Sequence, residues 1–228
     1  STLILTLFPY TTLFRSEVEE RLRATRTNVL HALSHGARQV VVVTSAGPRE
    51  GASTTAAGLA RVLALSGHRV VLVGGDLRSP SAVGAPGAPG LAEVLVGTAR
   101  LSQVLVEGEV PGLELLPAGD MPGNPSELLG GRNMSDLLHH LAADRIVIID
   151  APPVCRFTDA VVLAEYAGGV LLVARAGRTS AEELREAALA VGQGGGHMLG
   201  VVLTNVSDPG RGSRSVQAGV THAESATV

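Results

Sequence analysis

The sequence has little of what several classes of protein require. Its single cysteine, Cys155, excludes an intramolecular disulfide framework and a cysteine-rich metal site, which fits a reducing, cytosolic compartment. The 18 basic and 21 acidic residues give a net charge of −3, which argues against nucleic-acid partners and against a polybasic membrane patch. No apolar run reaches the roughly 18 residues that a membrane-spanning helix needs. Function must therefore be sought in a shaped site.

Length and local composition predict one domain with two flanking segments. The chain has 228 residues, 45% of them hydrophobic, enough for one sizeable core. Residues 8–16 resemble the in-frame translation of a sequencing adapter, so we expect residues 1–16 to be non-native and the natural chain to continue upstream. The alternative is a short natural apolar leader. We assign the domain to residues 17–206 and predict that residues 207–228, which lack apolar periodicity, form a disordered tail.

Apolar, β-branched runs alternate with helical patterns along the domain. The runs predict strands buried on both faces, at 39–44, 69–73, 113–116, 145–149, 169–174 and 199–203. Helical spacing of apolar residues predicts helices at 17–33, 53–66, 91–96, 126–142, 158–166 and 180–193, and residues 79–90 are predicted to be a loop. Alternation of this kind predicts an α/β fold: a doubly wound, mostly parallel sheet with helices on both faces.

The turn after the first strand has the order strand, small-residue loop, helix that is typical of phosphate-binding loops. Main-chain N–H groups and the positive end of the helix would face the phosphates, and the Ser53 hydroxyl would be a Mg²⁺ ligand. The predicted nucleotide contacts in this turn are Gly47, Pro48, Arg49, Glu50, Gly51, Ala52, Ser53 and Thr54. Taken alone, the turn is equally compatible with an ordinary surface loop.

The pattern G-x-x-x-x-G-K-[ST] is broken in this turn. Ala46 occupies the first glycine position and Ala52 the lysine position. Loss of a charge-assisted hydrogen bond worth about 1.5–3 kcal/mol predicts roughly tenfold to hundredfold weaker triphosphate binding, and a larger loss of rate. Arg49 stands where related loops have glycine, whose backbone freedom a β-carbon removes. An alternative is that Arg49 reaches the phosphates and replaces the missing lysine.

Two aspartates follow strands whose carboxyl ends are expected at the same edge of the sheet. Asp76 comes after the second strand and Asp150 after the fourth. Ligands of doubly wound sheets bind at that edge, so both residues are candidates for catalysis and, with Ser53, for holding Mg²⁺. For either aspartate alone, a helix cap or a loop hydrogen bond remains the alternative.

Several segments together resemble the bacterial tyrosine kinases. Residues 74–80, Gly-Gly-Asp-Leu-Arg-Ser-Pro, look like that family's second acidic motif, Asp-x-Asp-Leu-Arg-x-Pro, with Gly74 in place of the first aspartate. Further matches lie at 25–28, 123–129, 149–154, 159–160, 173–179 and 200–203, so the resemblance covers residues 17–206. The Asn-Pro-Ser-Glu-Leu-Leu segment at 124–129 is the most discriminating, because partitioning and cell-division ATPases, a further alternative, generally lack it.

The resemblance implies a P-loop domain that binds ATP and Mg²⁺, phosphorylates tyrosine, and regulates capsular or exopolysaccharide biosynthesis and export. It implies a cytoplasmic location at the inner face of the membrane, beside a membrane polysaccharide co-polymerase. It also implies nucleotide contacts from Arg175 and Asn205. The losses at Ala52 and Gly74 leave open a pseudokinase or assembly module that does not transfer phosphate. Residues 207–228 contain no tyrosine, so this segment offers no phosphoacceptor for a tyrosine kinase.

The first helix carries a candidate subunit interface. Glu20, Arg23 and Arg26 match the family's Glu-x-x-Arg-x-x-Arg element, which packs between subunits of a homo-oligomeric ring. At this spacing the three side chains share a broad helix face. The alternative is salt bridging within one helix.

Overall fold

The computed structural model describes residues 12–34, 38–79, 83 and 87–206, with side chains of the first helix from residue 20 onward. The predicted tail at 207–228 lies outside the described residues, as do residues 1–11 and much of the loop at 79–90. The strands are β1 Val40–Ser45, β2 Val70–Gly74, β3 Val106–Glu107, β4 Leu113–Leu116, β5 Ile146–Asp150, β6 Gly169–Arg175 and β7 Met198–Thr204. The helices are α1 Thr12–Ser34, α2 Ala52–Leu65, α3 Leu91–Val96, α4 Leu101–Val104, α5 Pro125–Leu129, α6 Arg132–Ala142, α7 Asp159–Ala164 and α8 Ala181–Gln193.

The strands form one sheet in the order β3-β4-β2-β5-β1-β6-β7. Every neighbouring pair is parallel except β3 and β4, which are antiparallel. The predicted α/β class with a doubly wound, mostly parallel sheet is therefore confirmed. Within the described residues, no helix combines the length and the apolar character needed to cross a membrane.

Two hydrophobic cores cover the two faces of the sheet, which explains why the central strands read as unbroken apolar runs. In β1, Val41 and Val43 belong to the core under α1 and α2, whereas Val42 belongs to the core under α5, α6 and α7. All three valines are completely buried. Helices α1 and α2 approach each other closely at Gly58, where a β-carbon would lie 2.5 Å from Leu22 Cδ1.

The structure corrects three details of the predicted elements. The single helix predicted at 126–142 is two helices, α5 and α6, because the chain turns at Gly130 and Gly131. Glycine disfavours a helix interior, and the extended backbone of Gly131 (φ −76°, ψ 161°) starts α6 on a new axis. The two-residue strand β3 and the four-residue helix α4 were not predicted, since both are too short to show a period. Helix α1 starts at Thr12, inside the segment 1–16 that we expect to be non-native, and not at the predicted residue 17.

Candidate functional site

The carboxyl ends of three neighbouring strands bring the predicted site residues to one edge of the sheet. Asp150, the last residue of β5, pairs with Val43 of β1 on one side and with Gly74 of β2 on the other. The main-chain N–H of Gly75 donates to the Asp150 carbonyl at 2.8 Å. The turn after β1 and the Asp76 loop after β2 therefore flank Asp150, as the strand-end argument requires.

The segment 46–53 connects β1 to the amino end of α2. Two of its residues have left-handed backbone, Arg49 at φ 62° and Gly51 at φ 102°. No side chain caps the start of α2, so its first N–H groups point their partial positive charge toward the site without a partner from a capping side chain. A helix start of this kind suits an anion.

Residues of β6, of the turn that follows it and of β7 form hydrogen bonds to the segment 46–53. Glu50 is only 4% exposed, and its Oε1 accepts a hydrogen bond of 2.7 Å from the Thr179 hydroxyl. The Thr204 hydroxyl donates to the Glu50 carbonyl at 2.6 Å, and Arg175 Nη1 donates to the Arg49 carbonyl at 3.3 Å. These bonds fix the main chain of the segment before any ligand binds. Sequence reasoning assigned Arg175 to nucleotide contact and missed the supporting roles of Thr179 and Thr204.

Asp150 is a buried carboxyl group that accepts a hydrogen bond from the Ser53 side chain. It is 2% exposed, and burial raises its pKa to about 7; a hydrogen bond from the Ser53 side chain opposes the rise, and the nearby charge of Asp76 adds to it. Its contact with Ser53 brings together two of the three predicted metal ligands.

Asp76 is half-buried beside this pair. Its Oδ1 accepts main-chain N–H bonds from Arg78 at 3.0 Å and Ser79 at 3.2 Å. Burial raises the pKa of Asp76; these two bonds oppose the rise, and the Asp159 carboxylate adds to it. Two carboxylates whose pKa values are both raised, with a hydroxyl beside one of them, make an all-oxygen donor set that fits a hard divalent cation.

Within the described part of the chain, no group of three or more His, Cys, Asp or Glu side chains is arranged to hold a metal ion alone. A nucleotide-bound Mg²⁺ needs only one or two protein carboxylates beside the substrate phosphates and water. Ser53, Asp76 and Asp150 would hold Mg²⁺ here.

A second cluster of polar side chains lies next to Asp76, and we call Arg78, Ser126, Phe157 and Asp159 the arginine cluster. The Arg78 guanidinium makes two bonds to Asp159, of 2.6 and 3.0 Å, and one of 3.0 Å to Ser126 Oγ. Ser126 also donates to Asp159, and the guanidinium lies 4.8 Å from the centre of the Phe157 ring. Burial opposes ionisation of Asp159, but the bonds from Arg78 and Ser126 prevail and lower its pKa.

The arginine cluster joins three of the family-like segments, at 74–80, 123–129 and 159–160. Sequence reasoning identified these segments but gave Arg78, Ser126 and Asp159 no common role. No spacing pattern could reveal their network, because its bonds join residues 33, 48 and 81 positions apart in the chain. The network ties the Asp76 loop to the amino ends of α5 and α7.

The remaining predicted nucleotide contacts differ in exposure. Arg49 and Thr54 are exposed, Ala52 is buried, and Gly47 and Pro48 are half-buried. Asn205 is exposed at the end of β7 and has left-handed backbone at φ 56°. Its neighbour Thr204 lies 3.2 Å from the position of a β-carbon on Gly51, so Asn205 borders the same end of the segment.

The candidate interface residues lie on α1, away from this edge. Glu20 and Arg23 form an ion pair of 3.1 Å, with side chains 72% and 54% exposed. Arg26 is half-buried. An exposed pair of this kind contributes little to stability.

Comparisons with known proteins agree on a family, although no family model matches the chain. The chain is 36% identical to tyrosine-protein kinase YwqD of Bacillus subtilis over 188 residues, 81% of this chain and 79% of YwqD. It is 34% identical to tyrosine-protein kinase ptk of Acinetobacter johnsonii, where it covers 26% of the relative and thus spans about a quarter of its length. The solved kinase domain of Escherichia coli tyrosine kinase ETK matches with a TM-score of 0.80 at 30% identity, over 87% of this chain and 79% of that domain. This chain belongs to the bacterial tyrosine kinase family.

Proposed function

We propose that the domain at residues 17–206 is an ATP-binding, tyrosine-kinase-like domain that regulates capsular or exopolysaccharide biosynthesis and export. One observation carries the proposal: the uncapped start of α2 lies beside Ser53, which bonds Asp150, and Asp76 is close enough to perturb the pKa of Asp150. A phosphate group and its divalent cation fit this combination of N–H groups and oxygens. The names of the relatives support tyrosine as the acceptor.

Each residue then has a defined task. The main-chain N–H groups between Gly47 and Ser53, apart from Pro48, which has none, bind the phosphates, while Ser53, Asp76 and Asp150 hold Mg²⁺. When bound, the cation neutralises charge on the transferred phosphoryl group. Asp76 and Asp150 would hold the cation for transfer to a tyrosine hydroxyl, and Arg175 donates a hydrogen bond to the Arg49 carbonyl.

A second candidate is a pseudokinase or assembly module that binds nucleotide without transferring phosphate. The absence of a side-chain cation at Ala52 favours it, because that charge acts on the transition state as well as on the bound nucleotide. Gly74 removes one carboxylate from the acidic motif as well. The nucleotide site is common to both candidates, which differ in the chemical step.

The wider context rests on the family resemblance. We propose a partner membrane polysaccharide co-polymerase, a location in the cytoplasm at the inner face of the membrane, and a homo-oligomeric ring using Glu20, Arg23 and Arg26. The greater length of ptk, of which this chain covers 26%, supports a larger assembly around such a domain. We retain residues 1–16 as a non-native segment and residues 207–228 as a tail.

The test is a calorimetric titration with ATP, with and without Mg²⁺, on the unsubstituted chain and on an Ala52→Lys, Gly74→Asp double variant. Restoring the lysine should tighten ATP binding, by up to roughly tenfold to hundredfold where no other cation reaches the phosphates. Both proteins are then given ATP and a tyrosine peptide. Phosphorylation by the unsubstituted chain would exclude the pseudokinase, whereas phosphorylation by the double variant alone would establish it. Lack of ATP binding by both proteins would refute the nucleotide site.

A further inference from the structure

The segment 46–53 contains one basic residue, Arg49, and lacks the lysine that normally follows its second glycine. We propose that the Arg49 guanidinium binds the terminal phosphates of a nucleoside triphosphate and takes the place of that lysine. The inference rests on the proposed nucleotide site and assigns the source of its positive charge.

The backbone at Arg49 is the first observation. Its φ of 62° lies in the left-handed region, which disfavours residues with a β-carbon and favours glycine. An arginine held there costs conformational free energy that glycine would avoid. Strained residues of this kind cluster at ligand sites, where the surrounding structure enforces them. The strain therefore calls for a function that glycine cannot supply.

The second observation is the contrast between the main chain and the side chain of Arg49. Its carbonyl accepts a bond from Arg175 Nη1, and the next residue, Glu50, is anchored through both its carbonyl and its carboxylate. The Arg49 side chain is exposed, and within the described residues its guanidinium makes no hydrogen bond or ion pair. The structure fixes where the side chain starts and leaves its charged end available.

The third observation concerns the other charges near the segment. The Glu50 carboxylate is buried: its Oε1 accepts the Thr179 hydroxyl, its Oε2 has no hydrogen-bond partner, and among the described residues it forms no ion pair with Arg49. Among the neighbouring basic residues, Arg175 of β6 donates to the Arg49 carbonyl, and Arg78 is committed to Asp159. Arg49 is thus the cation that the segment itself can offer to a phosphate. A guanidinium can bind two phosphate oxygens at once.

The test compares ATP and AMP binding, in the presence of Mg²⁺, by the unsubstituted chain and by the variants Arg49→Gly, Arg49→Ala and Arg49→Lys. Exposed Arg132, which lies on α6, gives the matched charge control Arg132→Ala. Arg49→Gly and Arg49→Ala should weaken ATP binding about tenfold to hundredfold and leave AMP binding unchanged. Arg49→Lys should retain most of the ATP affinity, and Arg132→Ala all of it.

Thermal unfolding separates the charge from the fold, because Arg49→Gly relieves the backbone strain and should keep or raise the melting temperature while ATP affinity falls. Equal or tighter ATP binding by Arg49→Gly would overturn the inference and leave the nucleotide site standing. ATP binding by Ala52→Lys but not by the unsubstituted chain would also overturn the inference and leave the nucleotide site standing. If Ala52→Lys also fails to bind, the proposed function fails together with the inference.

Discussion

Asp150 and Asp159 are both buried near the same edge of the sheet, yet their environments shift their pKa values in opposite directions. Asp150 is 2% exposed, and burial raises its pKa to about 7 against a single hydrogen bond from Ser53. Asp159 has no exposed surface, and the bonds from Arg78 and Ser126 overcome burial and lower its pKa. The difference lies in the partners that the chain itself provides.

The comparison separates a structural site from a ligand site. In the arginine cluster every buried charge has its opposite charge and its hydrogen bonds, so the cluster is complete without a ligand. The described residues supply no opposite charge to Asp150, which is the arrangement expected where a cation binds. The departures from the family pattern at Arg49, Ala52 and Gly74 also lie at the site of Asp150 and not in the arginine cluster.

The largest expected effect is the pH dependence that Asp150 imposes on the metal-free protein. Because its pKa is raised to about 7 in the folded state, from the ordinary aspartate value of 3.8, the unfolded chain releases this proton at lower pH. Stability is therefore lost as pH rises from about 4 to about 7, by up to about 4 kcal/mol, and stays constant above that range.

The Asp150→Asn variant should lack this loss. Urea unfolding of both proteins in EDTA, at pH values between 5 and 8, measures it. The stability difference in favour of Asp150→Asn should grow with pH up to about 7. A stability difference between the two proteins that does not depend on pH would show that Asp150 has a partner that stabilises its charged form.

Asp159→Asn should give the next largest effect. Removing one member of a buried ion pair costs about 3–5 kcal/mol, and we expect the lower end, about 3 kcal/mol, since the Arg78 side chain is 30% exposed. The matched control is Glu114→Gln, which removes the carboxylate bonded to Arg145 at 2.5 Å. Arg145 keeps a second bond, of 2.6 Å, to Asp144, so the control should lose about 1 kcal/mol. Equal losses in urea unfolding would remove the distinction that we draw for the arginine cluster.

The arrangement of strand ends could be predicted from the sequence because it depends on local pattern. β-branched runs identify β1, β2 and β5, and parallel strands place the residues after them at one edge. The proximity of Asp76, Asp150 and the segment 46–53 follows from that rule alone. The break between α5 and α6 was signalled by two adjacent glycines, but apolar periodicity continues across them and concealed it.

The supports of the site could not be predicted, because they join residues far apart in the chain. The Thr204 hydroxyl reaches a carbonyl 154 positions away, and Thr179 reaches a carboxylate 129 positions away. No spacing rule connects such residues; their contact depends on the order of β1, β6 and β7 in the sheet. The left-handed conformation of Arg49 was anticipated from the glycine of related loops, whereas the freedom of its side chain required the structure.

The smallest expected effect comes from Arg78→Lys, which keeps the charge and loses the geometry. An ammonium cannot reproduce the paired bonds to Asp159 or the flat contact with Phe157, so stability should fall by about 1–2 kcal/mol. Because the Arg78 main-chain N–H bonds Asp76, loosening this loop should also reduce the factor by which Mg²⁺ strengthens ATP binding. Arg145→Lys, at the far edge of the sheet, should lower stability similarly without changing that factor. If both variants leave the Mg²⁺ effect unchanged, the arginine cluster holds the fold together but does not position Asp76.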